Sequence, residues 1–337
     1  MTQEASDQDR RHRREVPGEN ITVGIIANPA AGKDIRRLVS AASPTSDMAK
    51  IGIVRRALVG AIEGGAHRVL IANDHKSLGL QALRGLDYNQ DVSVEIIGDE
   101  AFPTSFHSRR MAEKLKEHGV GAIVSLGGDG THRDIAKGWR DVPMVPVSTG
   151  TNNVFPQMIE ATVAGHAAAV AASGSKPLSL IAHRAKILDV VGADIKDDLA
   201  LIDIALVEGS FTASRAVWDV TALRQLVVTT AEPATIGLSS IAARVAPVTR
   251  QEFGGVHVVF GPGQTVRAPI APGLYHDVEI ASCERLNLGQ SVTIEGPGVL
   301  AFDGERDVVL APGQSVSITL NTNGPWVVDP TAALAMG

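Results

Sequence analysis

The sequence predicts two domains of different class, an α/β domain with a parallel, Rossmann-like sheet followed by an all-β domain. In the first half of the chain, short apolar runs alternate with amphipathic stretches of helical period, the order that builds a parallel sheet with helices on its faces. After about Lys186 the runs are strand-like, turns rich in Gly, Pro and Asn separate them, and no long helical stripe follows Ile241. A chain of 337 residues is also long for a single core.

The α/β domain is predicted to cover residues 21–153. Its predicted strands are the runs ITVGIIAN, RVLIAN, VSVEII, AIVSL and VPMVPVS. Between them, residues 48–64 and 105–118 place apolar side chains three and four positions apart, which predicts helices with one buried face. The strands therefore alternate with helices, as in open parallel sheets whose ligands bind at the carboxyl edge.

The remaining segments are assigned by composition. Residues 1–20 are polar and basic, which favours a solvated, disordered tail over the alternative of a docking arm for a partner. Residues 154–185 are expected to form a helical junction, and residues 186–325 a β-sandwich-like domain with runs such as ILDVVGAD and QSVSITL. The last segment, residues 326–337, could return to the first domain.

Bulk composition excludes several classes of partner. With 37 acidic and 31 basic residues the net charge is -6, which argues against nucleic acid as a partner. Cys283 is the only cysteine, so the chain can form neither an intrachain disulfide nor a cysteine-built metal site. There is no apolar run of membrane-spanning length and no apolar segment typical of a signal peptide. We therefore expect a cytoplasmic protein without a membrane span.

The stretch VSLGGDGTHRD follows the fourth predicted strand and carries the strongest candidate chemistry. Its glycines, Gly127, Gly128 and Gly130, would let the backbone adopt positive φ and bind an anion through successive N–H groups. Asp129 could orient or deprotonate an attacking hydroxyl, and Thr131 could cap the next helix. The alternative is a tight strand-to-helix turn in which the aspartate only makes local hydrogen bonds.

Three further segments contain polar or glycine-rich turns. NPAAGKD follows the first strand, and STGTNNVFP follows the fifth, where the alternative to ligand binding is a helix cap before Val154. FDGER lies in the β domain, where the alternative is an exposed β-turn. The residues of interest in these segments are Asn28, Pro29, Gly32, Lys33, Thr149, Gly150, Thr151, Asn152, Asn153, Asp303 and Glu305.

Other nucleotide and hydrolase signatures are absent from the sequence. NPAAGKD does not match the phosphate loop of P-loop enzymes, because Asp34 follows the lysine where that loop has Ser or Thr. The chain also has no G-x-G-x-x-G after a strand, no G-x-S-x-G and no H-x-x-x-H with a carboxylate. These absences argue against a dehydrogenase, a serine hydrolase and a zinc hydrolase.

In their order and spacing, NPAAGK, GGDGT, GTNN and DGE resemble the superfamily of NAD kinases and diacylglycerol kinases. Within it, VGIIANPAAGKDIRRLV and STGTNNVFP resemble most the ATP-NAD kinase-like branch of acetoin-catabolism protein X. The resemblance covers roughly residues 20 to 325 and implies the two-domain α/β and β fold of that superfamily. It also implies ATP-dependent phosphoryl transfer to a hydroxyl, usually with Mg²⁺.

The resemblance assigns roles to residues of this chain. Asp129 matches the catalytic aspartate, and Asp303 and Glu305 match the acidic DGE group that activates the acceptor hydroxyl in the lipid-kinase branch. The nucleotide would contact the loops that contain Asn28, Pro29, Gly32, Lys33, Gly127, Gly128, Gly130, Thr131, Thr149, Gly150, Thr151 and Asn152. The acceptor would lie near Asn153, His132, Arg133 and Glu208. The metal ligands are not assigned.

Two departures from the superfamily pattern concern the acceptor. Lipid kinases commonly continue GGDGT with a hydrophobic residue, Asn and Glu, whereas this chain has His132, Arg133 and Asp134. NAD kinases carry an Asn-Glu pair whose nearest counterpart here is Val207-Glu208. His132 and Arg133 could meet a different anionic ligand, and the alternative for Arg133 is a solvated residue in the first turn of a helix.

The sequence therefore predicts a kinase-like enzyme that binds ATP between its domains, with NAD as the first acceptor to test. The alternatives are a lipid or small-polyol kinase, favoured by the DGE group, and a non-catalytic nucleotide-binding regulator, favoured by Val207. An oxidoreductase is a weaker alternative without its fingerprint. Homologous folds often self-associate, so we also expect a homo-oligomer, with sheet edges of the β domain as contact surfaces.

Overall fold

The computed structural model describes residues 20–31, 45–98, 106–150, 153–192, 195–209 and 219–335. The strands are β1 (Thr22–Ala27), β2 (Arg68–Ala72), β3 (Ser93–Ile97), β4 (Ala122–Gly127), β5 (Pro143–Ser148), β6 (Ala182–Arg184), β7 (Ile187–Gly192), β8 (Ile195–Ala200), β9 (Asp203–Val207), β10 (Leu223–Val228), β11 (Gly255–Ala271), β12 (Leu274–Leu286), β13 (Ser291–Glu295), β14 (Gly298–Phe302), β15 (Glu305–Leu310), β16 (Ser315–Asn321) and β17 (Trp326–Val328). The helices are α1 (Asp47–Glu63), α2 (Leu78–Leu83), α3 (Phe106–Glu117), α4 (Asp129–Gly138), α5 (Ala161–Ala172), α6 (Leu178–Ile181), α7 (Ser239–Ala243) and α8 (Pro330–Ala335).

The first domain is built on a seven-stranded sheet in the order β3-β2-β1-β4-β5-β17-β6. The strands from β3 to β17 are parallel, and β6 pairs antiparallel to β17 at the edge. All residues of β1 and β4 are buried, as expected for central strands that are covered on both faces. Strands β2 and β3 lie on one side of β1, and β4 and β5 lie on the other, so the loops after β1 and β4 diverge and open a crevice at the carboxyl edge of the sheet.

The second domain contains two antiparallel sheets that pack face to face. The larger has the order β12-β11-β10-β9-β14-β15, and the smaller the order β13-β16-β7-β8. Apolar side chains such as Leu188, Ile204, Leu300 and Ile318 fill the space between the two sheets. This arrangement confirms the predicted fold class of an α/β domain followed by an all-β domain.

Two strands that follow the first five in sequence, β6 and β17, complete the first sheet. β17 pairs parallel to β5, with Trp326 opposite Pro143, and antiparallel to β6, with Val327 opposite His183. Residues 326–328 therefore lie in the sheet of the first domain although the whole β domain separates them from β5 in sequence. In the predicted junction, helix α5 begins at Ala161 with the Glu160 side chain as its cap, and residues 154–160 are not helical.

Helices α1 and α5 pack so closely on one face of the sheet that their backbones nearly touch. A Cβ atom on Gly60 would lie 2.0 Å from the Thr162 carbonyl oxygen, and one on Gly165 would lie 2.0 Å from the Ala57 carbonyl oxygen. Both positions therefore require glycine for steric reasons. No helix in the parts of the chain that the structure describes is long and apolar enough to cross a membrane.

The helix contact predicts a contrast between two glycines of α1. Gly60→Ala should lower the free energy of unfolding by about 1–3 kcal/mol, because the new methyl group forces the helices apart. Gly52→Ala should leave stability unchanged or raise it by up to about 1 kcal/mol, because the nearest atom to its new Cβ is the flexible Arg56 side chain at 3.5 Å. Urea unfolding of both variants checks this, and equal stabilities would contradict the packing argument.

Candidate active site between the two domains

The loops after β1, β4 and β5 are hydrogen-bonded to one another at the carboxyl edge of the first sheet. The Asn28 side-chain amide donates to the Thr131 hydroxyl at 2.9 Å, and the Asn28 N–H donates to the Leu126 carbonyl at 3.0 Å. The Thr149 N–H donates to the Gly127 carbonyl at 3.4 Å. Three of the predicted nucleotide-side segments therefore form one surface.

Asp129 lies at the start of α4, and its carboxylate is held by backbone N–H groups of the chain after β5. It accepts hydrogen bonds from Val154 N–H at 3.0 and 3.1 Å and from Phe155 N–H at 2.8 Å. A carboxylate in the first turn of a helix is also stabilised by the helix dipole. No helix begins at Val154, because the chain pairs with β5 instead: the Gln157 N–H donates to the Pro146 carbonyl at 3.1 Å and the Ser148 N–H donates to the Gln157 carbonyl at 2.8 Å. The alternative that residues 148–153 cap such a helix is therefore wrong.

In the GGDG loop, Gly127 and Gly128, but not Gly130, are required, and for a reason other than the predicted one. None of the three has positive φ, and Gly128 has φ of −101°. A Cβ atom on Gly127 would lie 2.5 Å from the Thr131 Cβ, and one on Gly128 would lie 2.8 Å from the Asn153 side-chain oxygen. The prediction of positive φ is wrong here, because close packing between loops, and not a left-handed backbone, excludes side chains.

Thr131 does not cap α4, because the helix begins two residues earlier with Gly128 as its N-cap. Its hydroxyl instead accepts the Asn28 hydrogen bond. His132 is fully buried, with Nδ1 2.7 Å from the Gly128 carbonyl oxygen and its ring 5.5 Å from the Phe155 ring. Burial lowers the pKa of His132 to about 4, although the carbonyls of Gly128 and Ser125 favour the protonated ring. The histidine is therefore a neutral core residue at pH 7.

Arg133 joins the two domains. Its side chain is buried and each part of the guanidinium has a partner in the β domain: Nε donates to the Leu199 carbonyl at 2.7 Å, and the ring of Phe302 lies 4.4 Å from Cζ. The two terminal nitrogens bind Asp198 at 2.9 Å and Asp307 at 3.1 Å. The expectation of a solvated residue is wrong, and these contacts favour a structural role over the predicted contact with an acceptor.

Two carboxylates lie close to the GGDG loop from opposite domains. The Glu305 Oε1 atom lies 3.5 Å from the position that a Cβ atom on Gly130 would occupy. Burial raises the pKa of Asp134 to about 7; the cations of Arg133 and Lys137 oppose this rise, and Glu305 adds to it. Glu305 therefore faces the loop that carries Asp129, as the resemblance implies.

Asp303 occupies the first position of the two-residue turn between β14 and β15. Both turn residues have positive φ, 49° for Asp303 and 79° for Gly304, as in hairpin turns of type I′. The Asp303 carboxylate is buried and accepts N–H bonds from Leu201, Ile202 and Asp203 at 2.8–3.2 Å. The turn is therefore not exposed, and burial raises the pKa of this carboxyl although Arg133 and the three N–H groups oppose the rise.

Of the other predicted site residues, several lie in the described part of the loop after β5, and others lie outside the described residues. Asn153 donates to the Ser148 hydroxyl at 2.9 Å, and Ser148 donates to the Gly150 carbonyl at 2.8 Å, so both belong to the loop after β5. Thr149 is buried, and its hydroxyl has no hydrogen-bond partner in the described part of the chain. Gly32, Lys33, Thr151 and Asn152 lie outside the described residues.

Glu208 lies away from this group. It follows β9, whose first residue is Asp203, so the strand separates the two positions by about 16 Å at roughly 3.3 Å per residue. Its carboxylate pairs with Arg224, and both side chains are more than half exposed. The structure does not bring Glu208 to the GGDG loop.

Sequence patterns missed three residues that contribute to the site. Lys50 is buried in α1, and its ammonium group donates to the carbonyls of Pro29 and Ala31, both at 2.7 Å, which stabilises the turn after β1. Asp203 accepts the Gly304 N–H at 3.2 Å. Ser239 is fully buried with a hydroxyl that has no described partner. The sequence signal that could have identified Lys50 is a lysine on the face of α1 that is otherwise apolar.

A pocket lies between the domains where these groups converge. Asp129 and Val154 form its wall on one side, and Asp203, Asp303 and Ser239 contribute to the other. The chemistry of the surrounding oxygens suits a phosphoryl-transfer site, because Mg²⁺ in such sites needs only one or two carboxylates besides the phosphates. Within the described residues, no group of three or more His, Cys, Asp or Glu is arranged to hold a metal ion without a phosphate.

The contacts of Arg133 predict that its loss uncouples the domains. Arg133→Met should lower the free energy of unfolding by about 1–3 kcal/mol, because the Leu199 carbonyl and Asp307 would lose a buried donor, whereas Asp198 would keep its ion pair with Lys137 at 2.8 Å. Arg56→Met is the matched control, since its ion pair with Glu160 is half exposed and should contribute less than about 1 kcal/mol. Denaturant unfolding measures both, and a loss at Arg133 no larger than at Arg56 would contradict the interdomain tie.

The raised pKa of Asp134 predicts a pH dependence of stability. Between about pH 4 and 7 the folded state keeps a proton that the unfolded state has released, so stability should fall as pH rises, by at most about 1.4 kcal/mol per unit. Asp134→Asn should remove this slope, whereas the exposed Asp141→Asn should keep it. Unfolding free energies measured from pH 4 to 8 check this, and equal slopes in wild type and Asp134→Asn would disprove it.

Comparisons with known proteins agree with the two-domain reading. Residues 23–174 match the ATP-NAD kinase N-terminal domain, and residues 186–323 match the acetoin catabolism protein X C-terminal domain. Acetoin catabolism protein X of Cupriavidus necator is 35% identical over 326 residues, which is 93% of this chain and 91% of that protein.

One solved structure shows a similar fold at low sequence identity. Yeast NADH kinase complexed with NADH superposes with a TM-score of 0.52 at 12% identity, over 95% of this chain and 86% of that one. A diacylglycerol kinase of Bacillus anthracis gives a TM-score of 0.46 at 12% identity, over 92% of this chain and 97% of that one. The sequence match over nearly the whole length decides the family: the chain belongs to the acetoin catabolism protein X family, with an ATP-NAD kinase-like N-terminal domain.

Proposed function

We propose that the protein transfers the γ-phosphoryl group of ATP to a hydroxyl group of an acceptor bound between its domains. The observation that supports this most is the position of Asp129, whose carboxylate is fixed by two backbone N–H groups at an interdomain pocket. The family relationship supports the same reaction, since the N-terminal domain is ATP-NAD kinase-like. A link to acetoin catabolism is part of the proposal and rests on the related protein.

The residues of the chain suggest how the reaction proceeds. The acceptor hydroxyl loses its proton to the Asp129 carboxylate while its oxygen bonds to the γ-phosphorus, and the bond from the γ-phosphorus to the β–γ bridging oxygen breaks to release ADP. The turn at Asn28 and Pro29, the glycines of the GGDG loop and Thr149 would bind the nucleotide. When bound, Mg²⁺ would neutralise phosphate charge, and Asp203 in the pocket and Glu305 beside Gly130 would help to hold it.

Asp303 has a different role in this proposal from the one that the resemblance implies. Its carboxylate already accepts three N–H groups of residues 201–203, so it orders the turn between β8 and β9 and presents Asp203 at the pocket. Asp129 is therefore the proposed base, and Glu305 is the second carboxylate of the site. Gly32, Lys33, Thr151 and Asn152 enter the nucleotide site on the resemblance alone.

NAD is the first acceptor to test, because the N-terminal domain is ATP-NAD kinase-like. A lipid or small-polyol kinase is the second candidate, favoured by Glu305 lying against the GGDG loop as the DGE group of the lipid-kinase branch implies. A nucleotide-binding regulator without turnover is the third, favoured by the involvement of Arg133 and Asp303 in structural contacts.

Asp129→Asn should keep the fold, because the amide oxygen can still accept a backbone N–H, and should lower turnover about 10²- to 10⁴-fold. Asp141→Asn, at an exposed aspartate, is the control for loss of one negative charge. ADP release with each acceptor measures activity, and calorimetric titration with ATP measures binding. Unchanged turnover in Asp129→Asn would disprove the catalytic role, whereas ATP binding without turnover on any acceptor would favour the regulator.

A further inference from the structure

The peptide group between Val154 and Phe155 is bound by a charged side chain at each end. Its N–H, which belongs to Phe155, donates to the Asp129 carboxylate at 2.8 Å. Its carbonyl, which belongs to Val154, accepts a hydrogen bond from the Arg250 guanidinium at 3.3 Å. Asp129 belongs to the first domain, and Arg250 lies between α7 and β11 of the second. One peptide group therefore connects the proposed base to the β domain.

Arg250 is held in this orientation by its own domain. Its Nε and Nη2 atoms donate to the Glu232 carboxylate at 3.3 and 3.2 Å, and its backbone N–H donates to the same carboxylate at 3.1 Å. Next to this pair, Ala231 and Val248 form an antiparallel bridge with N–H bonds of 2.8 and 3.0 Å. The guanidinium is therefore held against Val154 by contacts within the β domain.

A peptide group bound in this way is a stronger donor, because its carbonyl and its N–H are conjugated through the partial double bond between them. A cation at the carbonyl oxygen draws electron density from the nitrogen, and hydrogen bonds in such a chain strengthen one another. The distances agree with this. The Phe155 N–H lies 2.8 Å from the Asp129 carboxylate, whereas the Val154 N–H, whose peptide carbonyl belongs to Asn153, lies 3.0 and 3.1 Å from it.

We propose that Arg250 is a positioning residue for the base, which holds the Asp129 carboxylate in its orientation through the peptide of Val154 and Phe155. The inference rests on the proposed phosphoryl transfer, in which the acceptor hydroxyl gives its proton to Asp129. Because Arg250 belongs to the β domain, the base is correctly oriented only when the two domains are in contact. A displaced base lowers the rate, since reacting groups must be held close to the productive geometry.

Arg285 provides a matched control, because it also donates to a backbone carbonyl, that of Pro247 at 2.6 Å, in the same part of the β domain. Arg250→Met should raise the hydrogen-exchange rate of the Phe155 amide about three- to tenfold, since its bond to Asp129 loses the support of the guanidinium. Arg285→Met should leave that rate unchanged. Arg250→Lys keeps the charge without the planar fork, so its rate should lie between those of wild type and Arg250→Met.

The first measurement is NMR of the full chain with its seven phenylalanines labelled with ¹⁵N, in which Phe155→Leu assigns the Phe155 amide. The amide of Phe302, in strand β14, is the internal reference and should keep its exchange rate in Arg250→Met. An unchanged Phe155 rate in Arg250→Met would overturn the inference. An equal rise at Phe302, or an equal rise in Arg285→Met, would also overturn it. If Arg250→Met does not fold, Arg250→Lys is judged by the same criteria.

The second measurement is steady-state kinetics with ATP, Mg²⁺ and an acceptor, NAD being the first. Arg250→Met should lower kcat about three- to tenfold and leave the KM of ATP unchanged, because the variant disturbs the base and not the nucleotide loops. A changed Phe155 exchange rate with unchanged kcat would overturn the positioning role. Absence of turnover in the wild type on every acceptor would instead disprove the proposed function, and the exchange rates would still decide whether Arg250 supports the Phe155 bond.

Discussion

The hydrogen bonds from Val154 and Phe155 to the Asp129 carboxylate are the interaction on which the arrangement of the site depends. They join the start of α4 to the segment after β5. The loops that follow the neighbouring strands β4 and β5 are therefore held in a fixed position relative to each other. The same segment then pairs with the end of β5 at Gln157, and helix α5 begins only at Ala161. Because both oxygens of the Asp129 carboxylate accept backbone hydrogen bonds, the orientation of this side chain at the pocket is fixed.

A second set of contacts explains how the β domain is held against this carboxylate. Arg133, one turn after Asp129, fixes Asp198, Asp307 and the ring of Phe302, and the hairpin that contains Phe302 also contains Asp303 and Glu305. Arg133 therefore links the two domains and holds the hairpin that carries the acidic turn.

Much of the fold could be predicted because the sequence patterns that indicate its strands, helices and loops are local. Buried strands, amphipathic helices and the glycine-rich loops between them appear as short patterns, and their order predicted both domains. The partners of Arg133 could not be predicted, since they lie 65 to 174 residues away in sequence and a charged residue in a first helical turn is usually solvated. Lys50 and Ser239 were not predicted for the same reason. Their burial depends on residues that are distant in sequence and not on their immediate neighbours in the chain.

The insertion of β17 between β5 and β6 has a consequence for how the molecule reaches its native state. β6 pairs only with β17 among the described strands, so residues 182–184 have no place in the sheet until residues 326–328 arrive. On the ribosome, the sheet of the first domain therefore stays incomplete while the whole β domain is synthesised. The sheet of the first domain is therefore closed by a pairing between segments that are distant in sequence, and pairings of this kind form slowly.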